Sequence, residues 1–200
     1  MFSWQKKPAD AATASRIPPG QVLTGKFPVL QFGRVPEYPD LSRWDFRVFG
    51  AVEAPFTLNW GEFRQLPSES ATLDIHCVTR WSKLDTTWEG VPFNHIVEVA
   101  TPSEGARFVI FHAEGGFTSN VPIEIATQPG CLLAWGFDGK PLEPEHGYPL
   151  RAIVPGRYFW KSAKWLRGIE FSTEDRLGFW ERNGYSNSAD PWREERYSDF

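Results

Sequence analysis

The sequence predicts an α+β fold, with mixed β-sheets of short strands and two or three short helices. Three observations carry this. Glycine and proline each occur seventeen times in 200 residues, so turns cut the chain into short elements. Apolar alternation recurs in brief segments without a regular succession of strand, helix and parallel strand. Ten tryptophans and sixteen phenylalanines within a hydrophobic share of 41% supply an aromatic core, or an aromatic pocket inside one.

Residues 1–21 are polar and rich in Ala, Pro and Ser, which predicts an extended N-terminal arm ahead of one domain over 22–200. The stretch VLTGKFPVLQFGRVPEYPDLSR (22–43) is broken by proline and glycine and predicts a loop with aromatic anchors. In WDFRVFGAV (44–52), Trp44, Phe46 and Val48 alternate with polar partners, a strand pattern. NWGEFRQLPS (59–68) opens on an Asn cap and stops at proline, which fits a short helix. TLDIHCVT (72–79) places Leu73, Ile75 and Cys77 on one strand face, with Asp74 and His76 on the other.

VPFNHIVEVATP (91–102) has an early proline and apolar residues at Phe93, Ile96, Val97 and Ala100, a helical spacing. ARFVIFHAEGG (106–116) is a strand entering a glycine turn, and CLLAWGFDGKPL (131–142) a strand leading into an Asp-Gly hairpin. Residues 146–171 predict a strand, a Pro-Gly break, a tight polar turn and a final strand. The last segment is so rich in Trp, Phe and Tyr that it is expected to pack back on the body.

Charge narrows the function classes. With 21 basic and 25 acidic residues the net charge is −4, and nothing global points to nucleic acid or a membrane surface. Two cysteines do not make a disulfide scaffold. The first twenty residues carry no apolar run of signal-peptide length, and no segment reaches the length of a membrane span. The expectation is a soluble, cytoplasmic protein.

Two places carry chemistry. Cys77 stands at the end of an alternating run, next to His76 and followed by Arg80, Trp81 and Lys83. It can be a small buried hydrophobe, a thiol nucleophile with a histidine base, or a thiolate ligand to a soft metal. Zinc is disfavoured, because there is no CxxC and the four histidines are scattered. The second place is HGYPLRAIVPGRYFWKSAKWLR (146–167), which holds Arg151, Arg157, Lys161, Lys164 and Arg167 and no acid. It can be a solvated basic face, or a turn whose cations and backbone N–H groups cradle an anion such as phosphate. Neither the dinucleotide fingerprint nor the P-loop pattern is present.

HCVTRW (76–81), LLAWGFDGKPLEPEHGYPLRAIVPGRYFWKSAKWLRGIEF (132–171) and FWERNGY (179–185) resemble the sulfite oxidase family of molybdopterin-dependent oxidoreductases, in particular its short bacterial members. The resemblance runs from about residue 20 to the end. It implies a sulfite oxidase-type molybdopterin-binding fold holding a molybdenum–molybdopterin (Mo-pyranopterin) cofactor. It implies Cys77 as the protein's thiolate ligand to the metal, with Tyr185 and Arg80 facing substrate. Phe27, Leu30, Gln31, His112, His146, Arg151, Ser162, Ala163 and Lys164 are then the residues expected to hold the cofactor.

The implied reaction is oxygen-atom transfer to or from a small-molecule substrate, sulfite or an S- or N-oxide, with a separate redox protein as electron partner. The sequence departs from sulfite oxidases where TGKFPV replaces an Arg and a His, and Trp81 instead resembles the aromatic residue of related methionine-sulfoxide reductases. Two other functions fit the residues alone: a cofactor-binding or carrier protein without turnover, and a Cys-dependent hydrolase.

Overall fold

The chain is organised around strand β8 (Leu132–Phe137), and its sequence says why. In a computed structural model of the protein, which describes residues 10–198, LLAWGF is apolar on both faces because both faces are covered. Leu133 and Trp135 enter one core, while Leu132 and Ala134 enter another. One edge of β8 pairs antiparallel with the long strand β5 (Trp81–Pro92). The other pairs with β9 (Lys140–Pro141) and β10 (Arg151–Ile153). Strand β4 (Glu69–His76) lies antiparallel along β5, and β1 (Val22–Leu23) runs parallel to it. Ser82 faces both His76 and Leu23, so β4 and β1 take opposite edges of β5. These six strands form the first sheet.

The second sheet has the order β3 (Phe56–Asn59), β2 (Asp45–Gly50), β11 (Leu166–Ser172), β6 (Phe108–Ala113), β7 (Thr118–Pro122). Its strands β2 and β11 are parallel and the rest antiparallel. Period-two burial turns Phe46, Val48, Phe111 and Ile169 toward Val91, Leu133 and Trp135 of the first sheet, and the larger core lies there. The smaller core, with Ile75, Trp88, Leu142 and Ile153, lies on the opposite face of the first sheet.

The helices are brief. A single turn, α1 (Ala11–Ala14), is capped by the Asp10 carboxylate on the Thr13 N–H. The single turn α2 (Trp60–Phe63) is closed by a reciprocal cap between Asn59 and Glu62. Helix α3 (Phe93–Ala100) buries Phe93, Ile96 and Ala100, one stripe of the 3.6-residue repeat, and ends on a left-handed Thr101. Two more single turns, α4 (Ile123–Ala126) and α5 (Phe179–Arg182), follow β7 and β11.

Both ends are fastened to the body. Of the arm expected over 1–21, residues 1–9 lie outside the described residues. Beyond them, Arg16 reaches both Asp74 and Asp85 at 2.6 Å. At the other end, Glu181 is buried against Lys161, and Arg196 is 5% exposed. The aromatic C-terminal segment packs back as its composition predicts. Strands β1, β3, β5 and β7 were not anticipated. Among the described residues no helix is long and apolar enough to cross a membrane.

Candidate active site

Cys77 stands one residue past β4, in the turn that leads to β5. Its N–H donates to the Trp81 carbonyl at 2.9 Å, and the Arg80 N–H donates back to the Cys77 carbonyl at 3.0 Å. Arg80 closes the turn in the left-handed region, φ 72°. The thiol is 9% exposed. Burial pushes its pKa up, and the Thr79 hydroxyl, which donates to Sγ at 3.2 Å, works against that. Such a sulfur becomes a thiolate when a cation binds it. Among the described residues Thr79 is the one side-chain hydrogen-bond partner of Sγ. Among the described residues no hydrogen bond joins His76 to Sγ, and its Nδ1 lies 2.8 Å from the Ser82 hydroxyl. A thiol hydrolase needs that missing contact.

The turn opens on a cavity of about 600 Å³. Ten of the twelve expected site residues line it: Cys77 and Tyr185, then Phe27, Leu30 and Gln31 from the loop before β2, and His146, Arg151, Ser162, Ala163 and Lys164 from the segments around β10. Positions between residues 27 and 185 meet because β5, β8 and β10 are neighbours in one sheet.

Arg151 and Lys164, which have no carboxylate within ion-pair distance among the described residues, mark one part of the wall. The Arg151 guanidinium is wholly buried, donates to the carbonyls of His146 and Ser162 at 2.8 Å each, and lies 4.3 Å over the Phe159 ring. Burial pulls its pKa down to about 9. Lys164 Nζ donates to the carbonyls of Leu30 at 2.9 Å and Glu145 at 2.8 Å. Burial, then the Arg151 charge, draws it down to about 7. The His146 ring stacks on Phe27, centroids 3.8 Å apart and planes 7° apart, and burial and Arg151 lower its pKa as well. Neutral carbonyls satisfy these donors without cancelling their charge, so this wall favours an anion.

Much of the rest of the wall is aromatic, with Arg34 and Glu114 as its other charged residues. Tyr185 sits 5.0 Å from Trp160 and 4.9 Å from Trp180 between ring centroids. Burial raises its pKa, and the charges of Tyr197 and Cys77 add to the rise. Trp81 also lines the cavity, and its indole N–H is buried without a partner.

Two expected site residues lie elsewhere. Arg80, in its left-handed corner, sends its guanidinium toward Gly20 of the arm and does not line the cavity. His112, on the second sheet, bonds Glu170 at 2.9 Å across to β11. The turn just past β6 takes its anticipated place, with Glu114, Gly115 and Phe117 in the wall. Sequence reasoning missed Thr79, Phe159, Trp160 and Trp180; the excess of tryptophan was the one signal that an aromatic pocket existed.

These residues fit a molybdopterin. Among the described residues no cluster of three or more His, Cys, Asp and Glu side chains offers a metal a full ligand set. A metal held at Cys77 would have to complete its shell from a bound organic group. The buried cations suit that group's phosphate, and the stacked rings suit a flat heterocycle.

The comparisons agree. The family model described as "Oxidoreductase molybdopterin binding domain" matches residues 32–180. The protein is 48% identical over 185 residues to the uncharacterized oxidoreductase YuiH of Bacillus subtilis (strain 168), covering 92% of this chain and 93% of that one. It is 29% identical over 157 residues to the protein-methionine-sulfoxide reductase catalytic subunit MsrP of Campylobacter jejuni, covering 70% of this chain and 52% of that protein, so it spans about half the length of that relative. The sulfane dehydrogenase SoxCD from Paracoccus pantotrophus shares the fold, with TM-score 0.63 and 18% identity over 72% of this chain and 41% of that one. The site and fold define a molybdopterin oxidoreductase. The chain belongs to the oxidoreductase molybdopterin-binding family, within the sulfite oxidase group.

Proposed function

We propose that the protein reduces a small neutral S- or N-oxide, taking its oxygen atom. The observation that carries this is the aromatic wall beside Cys77. The charge that bears on the thiol comes from Arg196, behind the turn, while Arg80 faces away from the cavity. Arg151 and Lys164 are tethered to the loops that would enclose the cofactor. Arg34, the other cation in the wall, is exposed and has no hydrogen bond or ion pair among the described residues, so a sulfite dianion finds few fixed cations beside the sulfur. A methyl sulfoxide, polar at oxygen and apolar elsewhere, fits Trp81, Trp160 and Trp180. The named activity of the relative MsrP supports the same direction.

The bound molybdenum centre supplies two-electron redox chemistry that no side chain possesses. Cys77 anchors it from a rigid turn. Arg151, Lys164 and His146 hold the anionic cofactor, and the aromatic wall excludes water and orients the substrate. The Tyr185 hydroxyl, a phenol that stays protonated near neutral pH, donates a hydrogen bond to the substrate oxygen. One oxide, two electrons and two protons give the reduced product and water, with the electrons drawn from a separate redox protein. A cytoplasmic location belongs to the same proposal.

A dye-linked assay on molybdenum-loaded protein, run with sulfite, a methyl sulfoxide and a tertiary amine N-oxide, tests this. Turnover of an oxide with sulfite inert supports the proposal, and turnover of sulfite alone overturns it.

A further inference from the structure

We propose that Arg196 is a positioning residue for Cys77: with the segment leading into β1, it clasps the turn 77–80 and fixes the angle at which the sulfur meets the cavity. The inference rests on the reading of Cys77 as the metal ligand.

Three carbonyls of this turn receive donors from outside it. The Cys77 carbonyl accepts from Gln21 Nε2 at 3.0 Å. The Val78 carbonyl accepts from Arg196 Nη1 at 2.9 Å, and the Arg80 carbonyl from the Val22 N–H at 2.9 Å. Arg196 Nη2 also reaches the Pro19 carbonyl at 3.4 Å, so one guanidinium joins the arm, the turn and the C-terminal segment. Turn carbonyls left to water would let the loop sample several geometries. Here three of the turn's four carbonyls have a donor from outside it.

Arg196 is held for this task at a cost. It is 5% exposed and lies 4.9 Å over the Tyr158 ring. Its carboxylate neighbour Glu194 is 3.6 Å away and half in solvent, and its own Nε is buried without a partner. A buried guanidinium with an idle donor is expensive in stability alone. The close fit recurs at Gly20, where φ is +67° and a Cβ would collide with the Glu194 carboxylate and the Arg80 guanidinium. Both clasping segments lie outside residues 32–180, the span that matches the family model. The match to the family model therefore does not itself describe the clasp.

The test uses the full chain with Arg196→Met, Arg196→Lys and Gln21→Ala. In cofactor-free protein, hydrogen exchange at the Cys77 and Arg80 amides should speed up about tenfold in Arg196→Met, as loss of one charged hydrogen bond implies. Amides of β11 should keep their rates, and Arg196→Lys should fall between wild type and Met. If Arg196→Met unfolds globally, Gln21→Ala decides, with the same local acceleration expected. Unchanged exchange at Cys77 and Arg80 in a folded variant overturns the clasp.

In molybdenum-loaded protein, the electron paramagnetic resonance signal of the half-reduced metal should shift and broaden in Arg196→Met at equal metal content. An identical spectrum contradicts the positioning role. Wild-type protein that takes up no molybdenum would defeat the ligand reading of Cys77, while the exchange measurement would still report on the clasp.

Discussion

Thr79 donates its hydroxyl hydrogen to the sulfur of Cys77 across 3.2 Å. A hydrogen bond to a ligating thiolate withdraws electron density from the metal and raises its reduction potential. Replacing Thr79 by Val keeps the branched shape and removes the donor. The potential of the bound molybdenum should fall in Thr79→Val and stay near wild type in Thr79→Ser, read by a redox titration. Equal potentials in all three proteins would show that the contact does not tune the site.

Arg151 joins the His146 and Ser162 carbonyls through two separate nitrogens. Lysine cannot reproduce that fork. Arg151→Lys should weaken cofactor retention about 10- to 100-fold, the usual cost of losing a residue that supports a metal site. Molybdenum per chain after dialysis measures it.

The buried Lys161–Glu181 pair, 2.6 Å apart with side chains 0% and 1% exposed, braces the aromatic wall, because Trp160 Nε1 also donates to Glu181 at 2.9 Å. Glu181→Leu strands the ammonium and should cost about 3–5 kcal/mol in urea unfolding. The double variant Lys161→Met/Glu181→Leu should recover most of that loss, since it removes both charges together.

Lys164 gives the cofactor-free protein a pH signature. Burial, then Arg151, lowers its folded-state pKa from 10.5 to about 7, with Glu145 partly opposing. Between those values the unfolded chain binds more protons than the folded one, so this group's contribution to stability rises with pH from about 7 to 10.5. It is lost as pH falls through about 7, where the ammonium must be buried charged. Lys164→Met should flatten the stability profile across that window, and so should a bound anionic cofactor, which restores the ammonium.

Much of this architecture was legible in the sequence. The strands β2, β4, β6 and β8, the helix α3 and the Asn59 cap all follow from period and capping, and ten of twelve expected site residues line one cavity. Strand β5 was hidden because two of its inward positions are polar. Ser82 faces His76, and Thr86 Oγ1 donates to the Leu73 carbonyl at 2.6 Å while accepting from Trp88 Nε1 at 2.9 Å. Hydroxyls satisfied by such local bonds break the apolar alternation that announces a strand. Arg80 was misplaced because a left-handed turn residue reverses where its side chain goes, which neighbouring residues do not encode. The Arg196 clasp joins positions more than a hundred residues apart, beyond any local pattern.

A bond between the Cys77 sulfur and molybdenum is the central claim, and X-ray absorption at the molybdenum edge reads it directly. Wild-type protein and Cys77→Ser, each loaded with cofactor, should differ by one sulfur neighbour at the metal. Identical sulfur coordination in the two proteins would contradict the account.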